Sequence, residues 1–315
     1  MILIVSFTEN AHVERVVEHL REPYVIVDQA WFPANLGLTV SADLGQFACK
    51  LRLPDGQTVD TQEVSTVWHR RIRPMTLDPA LTDEVARLFA WSESNEGLLG
   101  ALYSMDCYWM NHPVADEVAQ RKIRQLQIAR DVGLSIPETC ITNDPGEAAA
   151  FIGAHEAGDV IRKAFRNIRE APRETARVMP EDLERIASVA YAPVTFQRFV
   201  PADLDLRTTV VDGEMFTAAI RSEPEYQVDY RSGLGTATMT TYRLPDAVET
   251  SLRALMDRLD LKFGAVDFRV TPQGEHVFLE VNPGGEYLFV ADRTDLPIAP
   301  AIAAALSRDR SGAAA

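Results

Sequence analysis

Asp267, Glu280 and Asn282 fall in one stretch near the C-terminus, GAVDFRVTPQGEHVFLEVNP (residues 264–283). It reads as a β-hairpin, two β-rich runs joined by Thr271-Pro272-Gln273-Gly274. Pro at the second position and Gly at the fourth suit a type I turn. Pairing Val270 with Glu275 across that four-residue loop puts Val266, Phe268 and Val270 on one face with Leu279, Val277 and Glu275. The other face then carries Asp267, Arg269, His276, Phe278, Glu280 and Asn282, because strand side chains alternate. Two carboxylates and an amide on one face make an oxygen-rich set suited to Mg²⁺, which takes carboxylates together with substrate phosphates. A half-buried hairpin with a solvated polar face would read the same way.

Spaced basic residues supply a second kind of chemistry. Lys122 lies on a helical stretch, Lys163 near the end of a strand, and Arg207 on a strand with Asp205 on the same face. Arg221 and Arg231 flank or occupy a polar segment, residues 223–236. A guanidinium grips phosphate by two prongs and a lysine offers a compact charge. Taken singly, each is more often a solvated surface charge. No GxxxxGK[ST], GxGxxG, GxSxG, HExxH or CxxC occurs, which disfavours a P-loop, a Rossmann phosphate site, an esterase-type serine and zinc hydrolysis. The six histidines are dispersed and none is assigned to catalysis. His69-Arg70-Arg71 forms a basic strand end that either docks an acidic peptide, reaches the active site, or simply ends in charge.

The elements that must position these residues follow an α/β pattern. A strand at 2–7, a helix at 11–20 and a strand at 24–27 suggest parallel βαβ order. Strands at 38–41, 47–53 and 64–68 and a helix at about 82–105 follow, closing a first unit near residue 108. The next helix runs from Pro113 to Val132 and stops at Gly133. Strands at 139–142 and 159–165 flank a helix at 147–155. The polar stretch 166–175 reads as a mobile loop. A helix at 181–190, strands at 194–200, 206–211 and 215–221, a helix at 246–259, the hairpin and a helix at 298–306 complete the chain. Trp68, Trp91 and Trp109 read as core. The chain has 315 residues, is 46% hydrophobic and carries a formal net charge of −15. That balance opposes a nucleic-acid or anionic-membrane surface. No apolar run is long enough to span a membrane, and the N-terminus lacks a signal-peptide pattern. Three scattered cysteines suit buried thiols in a reducing cytoplasm.

The ordered set of Lys122, Lys163, Gln197-Arg198-Phe199-Val200, Asp205 and Arg207, Asp229-x-Arg231, Asp267 and Glu280-x-Asn282 resembles the ATP-grasp superfamily. Within it, the chain is most similar to the ligases of ω-ester and ω-amide peptides, the microviridin-type graspetides. Segments QLQIARDVGLSIPETCITNDP, DLDLRTTVVDGEMFTAAIRSE, VDYR, KFGAVDFRVTPQGEHVFLEVNPGGE and TDLPIAPAIAAAL carry the likeness, with Val67–Arg71 a looser match. The resemblance implies an ATP-grasp fold of α/β (α+β) class. A pre-ATP-grasp domain is expected over 1–108 and a central helix and small lobe with lid over 109–200. The C-terminal lobe with the metal hairpin is expected over 201–306 and a disordered tail over 307–315.

The resemblance also implies roles. ATP and Mg²⁺ are the cofactors. Lys122 and Lys163 contact phosphates, Gln197, Phe199 and Val200 line the adenine, and Asp205 belongs to the nucleotide set. Asp267, Glu280 and Asn282 bind Mg²⁺. Arg207, Arg231 and Lys163 are the catalytic candidates, the arginines stabilising an acyl phosphate or holding a substrate carboxylate. The expected partner is a ribosomal precursor peptide with a leader and an acidic, Thr/Ser-bearing core. No nucleic acid or membrane is expected, and homodimers are common in that family. A ligase of free amino acids or of a protein end shares every nucleotide residue, and a non-catalytic nucleotide-binding protein is the third reading. Tyr230 stands where Trp is usual and Asp295 where Gly often precedes Leu-Pro. The lid lacks glycine, so its closure would rely on Arg166, Arg169 or Arg173.

Overall fold

Four consecutive apolar residues, Ile2–Val5, form β1 and are all buried, as befits a parallel strand covered on both faces. After β1 come α1 (Ala11–Val17), β2 (Tyr24–Val27), β3 (Gly37–Ala42), β4 (Phe47–Arg52), β5 (Thr58–Asp60), β6 (Thr66–His69), α2 (Glu84–Tyr103) and β7 (Tyr108–Met110). The computed structural model describes residues 1–165, 175–223, 226 and 228–310. The expected lid and its three arginines therefore lie, apart from Thr175, outside the described residues, as do residues 311–315. Strands β2, β1, β6 and β7 make a parallel sheet in that order, while β3–β5 form a separate antiparallel one. The boundary expected after residue 108 thus falls inside β7. Trp68 and Trp109 are buried, but Trp91 is 51% exposed on the outer side of α2 beside Leu88 and Phe89.

The helix expected over 113–132 is two helices, α3 (Pro113–Ala119) and α4 (Lys122–Asp131). The break at Gln120–Arg121 places Lys122 in the first turn of α4, and Gly133 ends it at φ +86°. Next come β8 (Thr139–Thr142), α5 (Pro145–Gly153), β9 (Val160–Lys163), β10 (Ala176–Arg177), α6 (Pro180–Glu184) and β11 (Val194–Arg198). The sheet order is β10-β9-β11-β8, and Val160 and Phe196 pack on Ala148.

The C-terminal lobe holds β12 (Leu204–Val211), β13 (Glu214–Arg221), β14 (Thr238–Tyr242), α7 (Asp246–Arg258), β15 (Phe263–Val270), β16 (His276–Asn282), α8 (Leu288–Thr294) and α9 (Ile298–Ser307). Its antiparallel sheet runs β14-β13-β12-β15-β16. Leu206, Val210, Val266 and Phe268 face Leu252, Leu255 and Met256 of α7. Phe263 and Tyr287 share a core with Ile2, Ile4 and Trp68 of the N-terminal sheet and Ile302 of α9. In the tail expected to be disordered, Arg308 and Arg310 instead reach Asp212 at 2.5 and 3.0 Å.

The hairpin departs from the expected register twice. Gly274 N–H donates to the Thr271 carbonyl at 2.8 Å, but Gly274 sits at φ +83° and the loop closes through Thr271 N–H to Glu275 O at 2.9 Å. A left-handed glycine after a type I turn adds one residue to a hairpin loop, so Val270 pairs with His276 rather than Glu275. A bulge at Leu279 adds another and brings Asp267 opposite Glu280. The two offsets sum to two, and Asp267, Glu280 and Asn282 keep a common face. His276 and Phe278 leave it for the core side, where Phe278 meets Phe268 edge-on at 5.8 Å.

Candidate active site

The site is one face of the C-terminal sheet. Register places Arg207, Asp267 and Glu280 in one row across β12, β15 and β16. The next row holds Asp205 and Arg269, and the row on the other side Thr209, Ala265 and Asn282. Opposite charges directly across antiparallel strands are neighbours, whereas i and i+2 on one strand are farther apart. Hence Arg207 pairs with Asp267, not with Asp205 as its shared face suggested. Its Nη1 donates to both Asp267 carboxylate oxygens at 2.9 Å, and its Nη2 to the Glu286 carbonyl at 3.2 Å. Asp205 forms an ion pair with Arg269, its Oδ1 3.1 Å from Nε. Burial pushes the Asp205 carboxyl up to about 6 against the pull of Arg269.

Glu280 is fixed by α4, which packs on the same sheet, and by its own strand. Lys122 Nζ lies 2.8 Å from its Oε2, and Asn282 Nδ2 donates to its Oε1 at 3.0 Å. Burial alone would raise the Glu280 carboxyl, but Lys122, Asn282 and Lys163 outweigh it and hold it ionised well below the usual range. Lys122 is aimed by Gln125, a fully buried residue on the same helix. Its amide donates to the Val281 carbonyl at 2.8 Å and accepts from Val281 N–H at 3.0 Å. This pair of hydrogen bonds seals the outer edge of β16 and docks α4 beside Glu280.

Lys163 ends β9, and its Nζ donates to Gln197 Oε1 at 2.7 Å, while Gln197 Nε2 donates to Thr139 Oγ1 at 2.9 Å. Burial lowers the Lys163 ammonium, with Glu280 opposing and Arg269, Arg231 and Lys122 adding to the fall. Gln197, expected to line adenine, therefore directs its side chain to Lys163. Phe199 is buried, with the guanidinium of Arg177 3.9 Å and that of Arg269 5.1 Å from its ring centre. Val200 is half-buried at the start of the link to β12. Arg231 is anchored by Asp229 through Nε at 2.7 Å and Nη2 at 2.6 Å, with its side chain 63% exposed. Those bonds push Arg231 up, and Glu280 and Asp267 act on it as well.

The sequence-nominated residues Lys122, Lys163, Asp205, Arg207, Arg231, Asp267, Glu280 and Asn282 thus share one electrostatic environment, while Arg221 ends β13 exposed. Tyr230 and Gln125 are among the participants that were not nominated. Tyr230, known only as a departure from the usual Trp, donates its hydroxyl to Asp267 Oδ1 at 3.2 Å. Gln125 lay in a quoted motif but carried no charge to single it out. The basic strand end also reaches this region. Arg70 is buried and donates to Gly285 O at 2.8 Å, Arg71 pairs with Glu286 at 2.8 Å, and His69 lies 3.8 Å from Asp116.

Among the described residues, no three His, Cys, Asp or Glu side chains gather as a metal site. Asp267, Glu280 and Asn282 offer two carboxylates and an amide, and Glu280 is held ionised. That donor set fits Mg²⁺, which keeps open positions for phosphate oxygens and water.

Comparison with known proteins bears on the family and the fold. The MvdD pre-ATP grasp domain family matches residues 1–117. Macrocyclase MdnC of Microcystis aeruginosa MRC, solved bound with precursor peptide MdnA, is 30% identical, with 98% of this chain and 99% of that one covered and a TM-score of 0.87. Macrocyclase MdnB of the same organism is 33% identical over 98% and 99% of the two chains, TM-score 0.82. A RiPP-associated ATP-grasp ligase of Chryseobacterium gregarium, solved with ADP and a leader and core peptide, is 27% identical over 97% and 96%, TM-score 0.88. No curated protein matches the chain. With identity of 30% and above over nearly the full length of both chains, the chain belongs to the graspetide-type ATP-grasp ligase family.

Proposed function

We propose that the protein is an ATP-dependent peptide ligase that closes ω-ester or ω-amide rings in a ribosomal precursor peptide. A side-chain carboxylate oxygen of a substrate Asp or Glu attacks the γ-phosphorus of ATP, the bond to ADP breaks, and an acyl phosphate forms. A Thr or Ser hydroxyl, or a Lys amine, then attacks the acyl carbon, loses its proton and expels phosphate. The peptide loses one water per ring. No enzyme nucleophile is needed, so catalysis is positioning plus neutralisation of phosphate charge.

Lys163, at the end of β9, and Lys122, on α4, grip the phosphate chain from two sides. Arg207, locked by Asp267 and the Glu286 carbonyl, meets charge on the transferring group. Arg231, preset by Asp229, holds the substrate carboxylate. Asp267, Glu280 and Asn282 would hold Mg²⁺, which when bound neutralises phosphate oxygens. The single observation that carries the reading is the Arg207–Asp267–Glu280 row facing Lys122 and Lys163. Family membership and the peptide- and ADP-bound relatives support it. The test is co-expression with a short peptide encoded beside the gene, followed by mass spectrometry. Loss of one water per ring in the wild type, abolished in Glu280→Ala and Asn282→Ala, is expected. ATP turnover driven by free amino acids and not by peptide would replace this reading with a small-molecule ligase.

A further inference from the structure

Three guanidinium groups, two from the adjacent Arg70 and Arg71 and one from Arg207 on β12, converge on residues 284–286, the segment that leaves β16. Arg70 Nη2 donates to the Gly285 carbonyl at 2.8 Å. Arg71 Nη1 pairs with the Glu286 carboxylate at 2.8 Å, and its Nε faces the Gly284 carbonyl at 3.5 Å. Arg207 Nη2 donates to the Glu286 carbonyl at 3.2 Å. The segment has no slack, since a Cβ on Gly285 would lie 2.3 Å from Ala265 Cβ and 3.0 Å from Arg207 Nη2.

Two features at the end of β6 are unfavourable by themselves. Arg70 is 2% exposed, with its guanidinium over Phe263 and Tyr287. Among the described residues its Nε and Nη1 have no partner, and unpaired buried donors are destabilising. An apolar residue of that size would serve stability at least as well. Arg71 adopts φ +48°, a left-handed conformation that an arginine rarely takes and that is retained where surroundings enforce it. Both unfavourable features fall on adjacent residues, and both side chains end on the same short segment.

We propose that Arg70 and Arg71 are positioning residues: the N-terminal domain clamps residues 284–286 and, through the Glu286 carbonyl, fixes Arg207 where phosphate charge develops. The role rests on the ligase reading above. A guanidinium displaced by a fraction of an ångström loses transition-state contacts while nucleotide binding, made by Lys122 and Lys163, persists.

The experiment measures ring-closure rates of the purified enzyme on the peptide that the co-expression test shows to be dehydrated, with thermal unfolding in parallel. Arg70→Gln should lower kcat about tenfold and Arg71→Asn, which tolerates the left-handed φ, about threefold, both with the ATP KM unchanged. Arg70→Lys, which can still reach one carbonyl, should restore most of the rate. Arg73→Gln is the control. Arg73 pairs with Asp28 and stacks on Phe7, and its loss should leave kcat unchanged. Wild-type kcat in both Arg70→Gln and Arg71→Asn overturns the clamp, as does an equal loss in Arg73→Gln. If Arg70→Gln does not fold, the half-exposed Arg71 decides alone. A wild-type enzyme that closes no ring overturns the ligase reading, and the clamp falls with it.

Discussion

At the residue scale, charge singled out the candidate residues and cross-strand register decided their partners. Arg207 and Asp205 share a face two residues apart, which invites pairing them. The fold instead sets each against a partner on β15. Only tertiary register decides this, and no local pattern encodes it. Tyr230 and Gln125 were hidden because an uncharged side chain gives no signal of what it will touch. The Arg207 geometry carries a prediction. One guanidinium spans the Asp267 carboxylate and the Glu286 carbonyl, and a lysine ammonium cannot do both and also face phosphate. Arg207→Lys should reduce kcat by on the order of 10–100-fold with ATP affinity little changed. Full peptide dehydration by that variant would remove Arg207 as the cation at the transferring group. For Lys163→Ala, the loss falls on binding instead. A partly desolvated, charge-assisted phosphate contact is worth about 2–3 kcal/mol, so calorimetry should show a markedly higher ATP Kd. An unchanged Kd would place Lys163 outside the nucleotide site.

At the scale of elements, the alternation of polar and apolar residues identified the hairpin, and Thr271–Gly274 identified its turn. What the pattern missed was the extra residue at the left-handed Gly274 and the one at Leu279, both backbone adjustments invisible to a period-2 rule. Strand β14 and helix α8 were missed for another reason. Thr238–Tyr242 is largely exposed, so its sequence lacks a clear apolar face, and α8 is short and follows directly on the loop after β16. The docking of α4 on β16 is testable. Removing the Gln125 amide leaves both Val281 backbone groups buried without their partner, which costs about 2–4 kcal/mol. Urea unfolding of Gln125→Ala should show that loss, together with weaker ATP binding as Lys122 moves off Glu280. Wild-type stability in this variant would mean the edge of β16 finds other partners.

At the scale of the whole molecule, the N-terminal sheet is tied to the C-terminal lobe by a shared core and by the ring of Tyr287. That ring packs edge-on to His12 at 4.6 Å, and its hydroxyl donates to the His12 carbonyl at 2.8 Å. Nothing in the sequence linked His12 to Tyr287, 275 positions away, because contacts of that separation follow from topology alone. Burial, with Arg70 and Arg71 adding repulsion, lowers the His12 pKa from 6.5 to about 3. Between those values the unfolded chain binds a proton that the folded protein refuses, so the stability His12 contributes is complete above pH 6.5 and is lost as the pH falls towards 3. The maximum slope for one group is about 1.4 kcal/mol per pH unit, so a fall from pH 6.5 to 5 should cost the wild type up to about 2 kcal/mol from this residue. His12→Gln lacks the titrating ring, and its urea midpoint should decline less over the same interval, although it starts lower at pH 7.5 from lost packing on Tyr287. Parallel declines in the two proteins would show that protonation of His12 does not loosen the seam between the N-terminal sheet and the catalytic lobe.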